Sequence, residues 1–121
     1  MSLIETKKID FEFKDERGLI CQICHGNIAQ VNYVFSKKGA VRGRFHYHKQ
    51  AKEQFYVISG SLKLEVYQGE QKEEYKFGMG DVFIIPPLVR HNFIYLEDTL
   101  LVSVYDKCVE TVKNKKDIFC D

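Results

Sequence analysis

The chain has 121 residues, enough for one hydrophobic core and too few for two. With 45% hydrophobic, 13% aromatic and 29% charged residues it has the composition of an ordinary globular domain, which excludes the disordered, collagenous and disulfide-dense classes. A net charge of +1, from 18 Lys+Arg against 17 Asp+Glu, supplies no general field for a polyanion, so nucleic acid is a poor partner.

The opening stretch, Met1 to Phe13, reads MSLIETKKIDFEF, and its charges interrupt every apolar run that could serve as a leader or a membrane span. No membrane partner and a cytoplasmic setting are expected. Runs of β-branched and aromatic residues then recur at Ile9–Phe13, Leu19–Ile23, Gln30–Phe35, Arg44–His48, Gln54–Ile58, Leu62–Tyr67, Glu73–Phe77, Val82–Ile85, Asn92–Leu96 and Leu100–Tyr105. These are about ten strands at the cadence of an all-β sandwich or barrel. Leu62, Leu64 and Val66 alternate with Lys63, Glu65 and Tyr67, the period of a strand with one face buried. Glycine- or acid-bearing turns separate the runs at Arg17-Gly18, Lys38-Gly39, Ser59-Gly60, Gln68-Gly69, Gly78–Asp81 and Glu97-Asp98, and Ser59-Gly60 is expected to close a hairpin. Pro86-Pro87 takes the chain out of the sheet before His91, because neither proline can donate to a ladder. After Tyr105 no helical period is convincing over Val109–Ile118, and residues 106–121 read as a ragged tail.

The chemistry lies in the histidines. His46 and His48 are two apart on a predicted strand and project to one face while Tyr47 points away. Glu53 opens the next run, where an antiparallel return can set its carboxylate beside the pair, and His91 arrives from the Pro-Pro loop. Three imidazole nitrogens and one carboxylate oxygen suit a divalent metal such as Zn, Fe, Mn or Ni, with open positions for water or substrate.

The stretch Gly43–Gly60, GRFHYHKQAKEQFYVISG, resembles the first cupin motif, and Gly80–His91, GDVFIIPPLVRH, resembles the second. The resemblance implies a double-stranded β-helix, the jelly-roll barrel of the cupins, as a single domain over residues 1–121 with the barrel at about 10–105. It also implies that His46, His48, Glu53 and His91 face inward and bind a metal. Within the cupins, Asp15–Gly18, Tyr33–Gly39, Arg42-Gly43, His46–Lys49 and Glu53-Gln54 are similar to the WxcM-like dTDP-4-keto-6-deoxyhexose 3,4-ketoisomerases and the epimerase-like cupins of polysaccharide biosynthesis. That likeness implies an isomerase or epimerase, a dTDP-sugar as the small-molecule ligand, and a homodimer. In the metal-free version it makes His48 the base, His46 its partner and Tyr33 an acid or hydrogen-bond donor. In the metal-bound version the imidazoles are ligands and the ion polarises the carbonyl.

A diphosphate calls for arginines near the cleft. Arg42, Arg44 and Arg90 flank the histidine motifs and are the candidates, and on a regular strand Arg44 shares the inward parity of His46 and His48. Cys21 and Cys24 have C-x2-C spacing but no second pair, since Cys108 and Cys120 lie far off, so buried thiols are expected rather than a zinc knuckle. Two other readings of the same residues stay open: a non-catalytic metal- or sugar-binding module, and a metal-dependent dioxygenase.

Overall fold

The computed structural model describes residues 2–109 and 117–120. Strands run in the order β1 (Glu5–Lys7), β2 (Phe11–Asp15), β3 (Gly18–Gln22), β4 (Gln30–Ser36), β5 (Val41–His46), β6 (Glu53–Ser59), β7 (Ser61–Gln68), β8 (Gln71–Gly78), β9 (Val82–Ile85), β10 (Arg90–Tyr95) and β11 (Thr99–Tyr105). They form a five-stranded sheet β1-β9-β6-β11-β4, a four-stranded sheet β5-β10-β7-β8 and the hairpin β2-β3, and every strand pairing is antiparallel. The architecture is all-β and of the jelly-roll, double-stranded β-helix type. No helix among the described residues is long and apolar enough to cross a membrane.

The sequence predicted a hairpin at Ser59-Gly60, and the structure has a corner there instead. β6 and β7 lie in different sheets, so the chain leaves one layer at Ser59 and enters the other at Ser61. Gly60 makes that corner at φ +94, with Asp98 and Thr99 packed so closely that a Cβ would run into the Asp98 carbonyl and lie 2.7 Å from the Thr99 Cα. The turns after β4, β5, β8, β9 and β10 likewise carry the chain across from one sheet to the other. Gly69 does close a true hairpin, β7-β8, with Gln68 opposite Gln71. A short strand that the pattern did not suggest, β1, adds an edge next to β9.

Alternation puts one face of each sheet into the space between them. Leu62, Leu64 and Val66 of β7 are buried there as expected, together with Phe55 and Val57 of β6, Phe83 and Ile85 of β9, Phe93 and Tyr95 of β10 and Leu101 of β11. Phe77 stacks on Phe83 at 4.2 Å between centroids, and Phe83 on Phe55 at 5.0 Å, so a ladder of aromatic rings fills the middle of the barrel.

The tail differs from the ragged end expected. Val112 and the rest of 110–116 lie outside the described residues, but Val109 and Ile118 pack with Ala51 and Tyr105, and Phe119 forms a β-bridge with Tyr47. The cysteines are free thiols, yet burial is incomplete: Cys21 and Cys24 are half-buried, while Cys108 and Cys120 are exposed.

Gly60→Ala should cost about 2–5 kcal/mol, because it combines a left-handed backbone with overpacking against β11. Gly69→Ala, at φ +61 with nothing near a Cβ, carries only the backbone part, about 1–2 kcal/mol. Denaturant unfolding of the two variants checks the difference, and equal losses would contradict the corner.

Candidate metal centre

His46 closes β5, His91 sits near the start of β10, Glu53 opens β6, and His48 lies in the loop between β5 and β6. β10 pairs with β5 so that His91 stands opposite His46, and β6 places Glu53 between Ile85 and Tyr105. The four side chains thereby converge from four segments on one end of the barrel interior. Their ligating atoms all lie within 4.8 Å of one another. His48 Nε2 is 2.6 Å from Glu53 Oε1, His91 Nε2 is 3.3 Å from the same oxygen, and His46 Nε2 is 2.9 Å from His91 Nε2.

A local irregularity brings His46 into register. His91 pairs with His46 and Phe93 pairs with Arg42, so Gly43, Arg44 and Phe45 together oppose only Asn92. This bulge is built on three left-handed residues, Gly43 at φ 96, Arg44 at φ 46 and Phe45 at φ 63. A non-glycine residue in that region costs about 1–2 kcal/mol, so something must hold the bulge. The buried Asn92 side chain does so: it accepts the Arg44 N–H at 3.1 Å and donates to Glu65 at 3.0 Å. Gly43 itself has no substitute, because a Cβ would come within 2.8 Å of the His91 carbonyl oxygen.

The bulge also overturns the parity assigned to Arg44. With alternation broken, Arg44 is exposed, and Arg42 is the arginine that lines the cavity, donating to the Ser36 hydroxyl at 2.8 Å and to the Phe35 carbonyl at 3.3 Å. Arg90 lies on the outer face, its guanidinium 4.2 Å from the Tyr47 ring and 5.6 Å from the Tyr67 ring. Tyr33, the expected proton donor, is 79% exposed on the outside of β4, where its neighbours Asn32 and Val34 take the inward positions. Arg17 forms a forked bond with Asp15 across its own turn.

Two phenols that the sequence reading passed over do line the cavity, Tyr95 and Tyr105. Tyr105 was accessible by parity, since Leu101, Ser103 and Tyr105 alternate along β11. Burial pushes the Tyr105 hydroxyl well above its ordinary pKa, and the neighbouring Glu53 charge pushes it further. Tyr95 is shifted upward as well, mainly by burial. The cavity has a volume of about 110 Å³ and is walled on its apolar side by Val34, Phe55, Phe93 and Leu101. Two hollows of about 600 Å³, one beside Phe45 and Tyr67 and one beside Leu19 and Tyr56, are larger but hold no comparable group of ligating side chains among the described residues.

Protonation follows from the partners. Burial disfavours a proton on His91 and lowers its pKa to about 4, and its ring hydrogen-bonds the Val89 carbonyl through Nδ1. His91 is therefore neutral, with the Nε2 lone pair turned inward. His46 is lowered too, first by burial and then by His48. Burial also opposes a proton on His48, but Glu53 and Asp117 outweigh it and hold its pKa above the ordinary value. Burial would raise Glu53, yet the surrounding histidines and the Tyr105 hydroxyl keep it low, so the carboxylate is ionised although only 2% exposed.

This donor set fits a divalent cation. Two imine nitrogens 2.9 Å apart require a proton or a cation between them. His48 Nε2 and Glu53 Oε1 are both buried 2.6 Å apart, a contact that needs either a proton or a shared cation between the two atoms. Backbone contacts at Gly43, Asp117 and Val89 engage the three rings from behind, as ligating histidines require.

In the metal-free protein the neutral His91 has a stability signature. The unfolded chain takes up its proton near 6.5 and the folded one only near 4, so the unfolded state binds more protons in that window and stability falls as pH drops through it. The contribution of His91 approaches about 3 kcal/mol. His46 acts with the same sign, while the raised His48 acts oppositely, its contribution being lost as pH rises. Urea unfolding across this range is expected to show the loss, and His91→Gln should flatten it.

The cupin domain family matches residues 32–105. A 3-hydroxyanthranilate 3,4-dioxygenase of Ruegeria pomeroyi is 34% identical over 55 residues, covering 45% of this chain and 31% of that protein, so the match spans less than a third of the curated relative. Among solved structures, a sugar 3,4-ketoisomerase of Thermoanaerobacterium thermosaccharolyticum in complex with TDP superposes with a TM-score of 0.81 at 17% identity, over 98% of this chain and 88% of that one. A TDP-quinovose 3,4-ketoisomerase of Campylobacter jejuni does so at 0.79 and 16%, over 96% and 94%. A 3'-monoepimerase of Streptomyces bikiniensis in complex with dTDP-quinovose gives 0.73 and 18%, over 88% and 65%. At these identities the likeness to the solved structures is one of fold. The family match over more than half the length, on a jelly roll that gathers both histidine motifs around one buried glutamate, means that the chain belongs to the cupin family.

Proposed function

We propose that the chain is a metal-binding cupin enzyme that isomerises or epimerises a 4-keto-6-deoxyhexose nucleotide such as a dTDP-sugar. The convergence of His46, His48, Glu53 and His91 carries this reading. A bound divalent ion would supply Lewis acidity at a carbonyl whose neighbouring carbon loses its proton. The four side chains would hold that ion, Arg42 at the cavity wall would engage a phosphate, and Phe93 and Leu101 would keep water from the reacting carbons. Tyr95 and Tyr105, both shifted upward, would act as hydrogen-bond donors to a substrate oxygen rather than as bases. The metal-free alternative uses His48 as a base, and Glu53 at 2.6 Å, which raises the His48 pKa, would orient the ring for that role.

A metal-dependent dioxygenase is the second reading. It is favoured by the 34% identity to the 3-hydroxyanthranilate dioxygenase over 55 residues. Free thiols at all four cysteines suit the cytoplasmic setting that either enzyme would have.

We also propose a homodimer. β4 is the edge of its sheet and presents Val31, Tyr33 and Phe35 to solvent, with Phe11, Phe13 and Ile20 of the β2-β3 hairpin exposed as well. A second copy would cover this face, and Tyr33 enters the reading as an interface residue.

Elemental analysis should find close to one ion per chain, lost in Glu53→Gln and His91→Ala, while a well-folded wild type without metal would remove the four-ligand site. Millimolar dTDP should raise the melting temperature. No shift with dTDP, together with oxygen uptake on 3-hydroxyanthranilate by the iron-loaded protein, would replace the isomerase by the dioxygenase. Sedimentation equilibrium should give a dimer mass, reduced to monomer by Tyr33→Glu combined with Val31→Glu.

A further inference from the structure

The described end of the chain, residues 117–120, lies across the loop that carries His48. Phe119 and Tyr47 exchange both backbone bonds, Tyr47 N–H to the Phe119 carbonyl at 2.9 Å and Phe119 N–H to the Tyr47 carbonyl at 3.0 Å. The Lys49 ammonium rests 4.2 Å from the centre of the Phe119 ring. Asp117 does more than pack. Its carboxylate accepts three successive backbone N–H groups, from Lys49 at 2.8 Å, Gln50 at 2.9 Å and Ala51 at 2.9 Å. Its own N–H donates to the Val109 carbonyl at 2.7 Å. Its carbonyl oxygen accepts a hydrogen bond from His48 Nδ1.

These contacts have a chemical consequence. A neutral imidazole carries one ring proton, and the nitrogen that donates it leaves the other as the electron-pair donor. With Nδ1 donating to a carbonyl, Nε2 of His48 is the free donor, and it faces Glu53 at 2.6 Å. The loop from Lys49 to Ala51 has no strand partners to define its path, so the three bonds to one carboxylate, with the Leu88 N–H donating to the His48 carbonyl at 2.7 Å, set the approach of the ring. We infer that Asp117 is a positioning residue of the His46, His48, Glu53 and His91 site: its carboxylate ties down the His48 loop, and its carbonyl selects the His48 tautomer that presents Nε2 to the centre. The affinity part of this inference rests on the metal-binding reading above, whereas the tautomer part does not.

The test uses the full chain with Asp117→Ala and Asp117→Asn. The first removes every carboxylate acceptor, and the second keeps one oxygen and should fall between Asp117→Ala and wild type. Cobalt(II) affinity, measured by competition with a chelator, should drop about 10–100-fold in Asp117→Ala, the range for lost partners behind metal-ligating histidines. In parallel, the long-range nitrogen-15 spectrum of the metal-free protein in alkaline buffer should report Nδ1–H for His48 in wild type and a tautomer mixture in Asp117→Ala, where the residue-117 carbonyl remains but the carboxylate bonds that hold it against the His48 loop are gone. A folded Asp117→Ala with wild-type cobalt affinity and an unchanged His48 tautomer would overturn the inference, even if its melting temperature fell, because a merely structural role predicts that result. If Asp117→Ala does not fold, Asp117→Asn decides by the same two readouts. If wild type takes up no cobalt, the four-ligand reading fails by itself and the tautomer comparison still decides the role of Asp117.

Discussion

A carboxylate buried inside a barrel of phenylalanines is the constraint around which this protein is built. Glu53 is almost fully enclosed and ionised, and an isolated charge in such a place would be far too costly to keep. What makes it tolerable is that His48, His91 and Tyr105 all direct polar atoms at it. Each comes from a different segment of the chain, so the polar end of the interior forms only when the two sheets are correctly stacked. The adjoining middle of the barrel, with Phe55, Phe77 and Phe83 in stacked contact, has no such requirement and provides apolar burial that holds the layers together. The barrel thus divides its interior between stability and chemistry.

The division is bought with local strain. Placing His46 opposite His91 requires three residues to pass a single partner, and two of them are non-glycine residues in the left-handed region. Asn92, adjacent to His91 in the chain, closes the gap with its side chain and is anchored in turn by Glu65. One short segment, His91-Asn92, therefore supplies both a ring of the cluster and the support for the strand carrying another. Alanine at Asn92 would leave the Arg44 amide without its acceptor and the bulge without its anchor, and His46 would be free to retreat from the centre.

Ten of the eleven strands, the turn positions and the four clustered residues are legible in the sequence because each rests on a local rule: period two for Leu62, Leu64 and Val66, proline exclusion at Pro86-Pro87, and same-face projection of His46 and His48. The errors arose where a neighbour in space decides. Ser59-Gly60 has the composition of a hairpin turn, but whether a tight glycine turn folds a strand back in its own sheet or sends it to the facing one depends on Thr99, nearly forty residues away. Arg44 was assigned inward by parity, and a bulge visible only through the pairing with β10 turned it outward. The role of Asp117 is still less local. No spacing rule connects it to His48, 69 positions earlier, because the link runs through a backbone carbonyl that every residue possesses.

The size of the cavity limits what chemistry can be asked of it. A space of about 110 Å³ accommodates an ion with its immediate ligands, or the reacting carbons of a larger molecule, and not a sugar joined to a nucleotide. Any such substrate must leave its greater part at the mouth, where Arg42 is held by Ser36 and the Phe35 carbonyl at the junction of the two sheets. Arg42 precedes the bulge and Ser36 ends β4, the strand whose outer face bears the exposed apolar row. The Ser36 anchor of Arg42 and the residues that would meet a second subunit therefore lie on opposite faces of the same edge strand. A contact that shifts β4 would move the anchor of Arg42 directly, while His46, His48, Glu53 and His91 are carried by other segments of the chain.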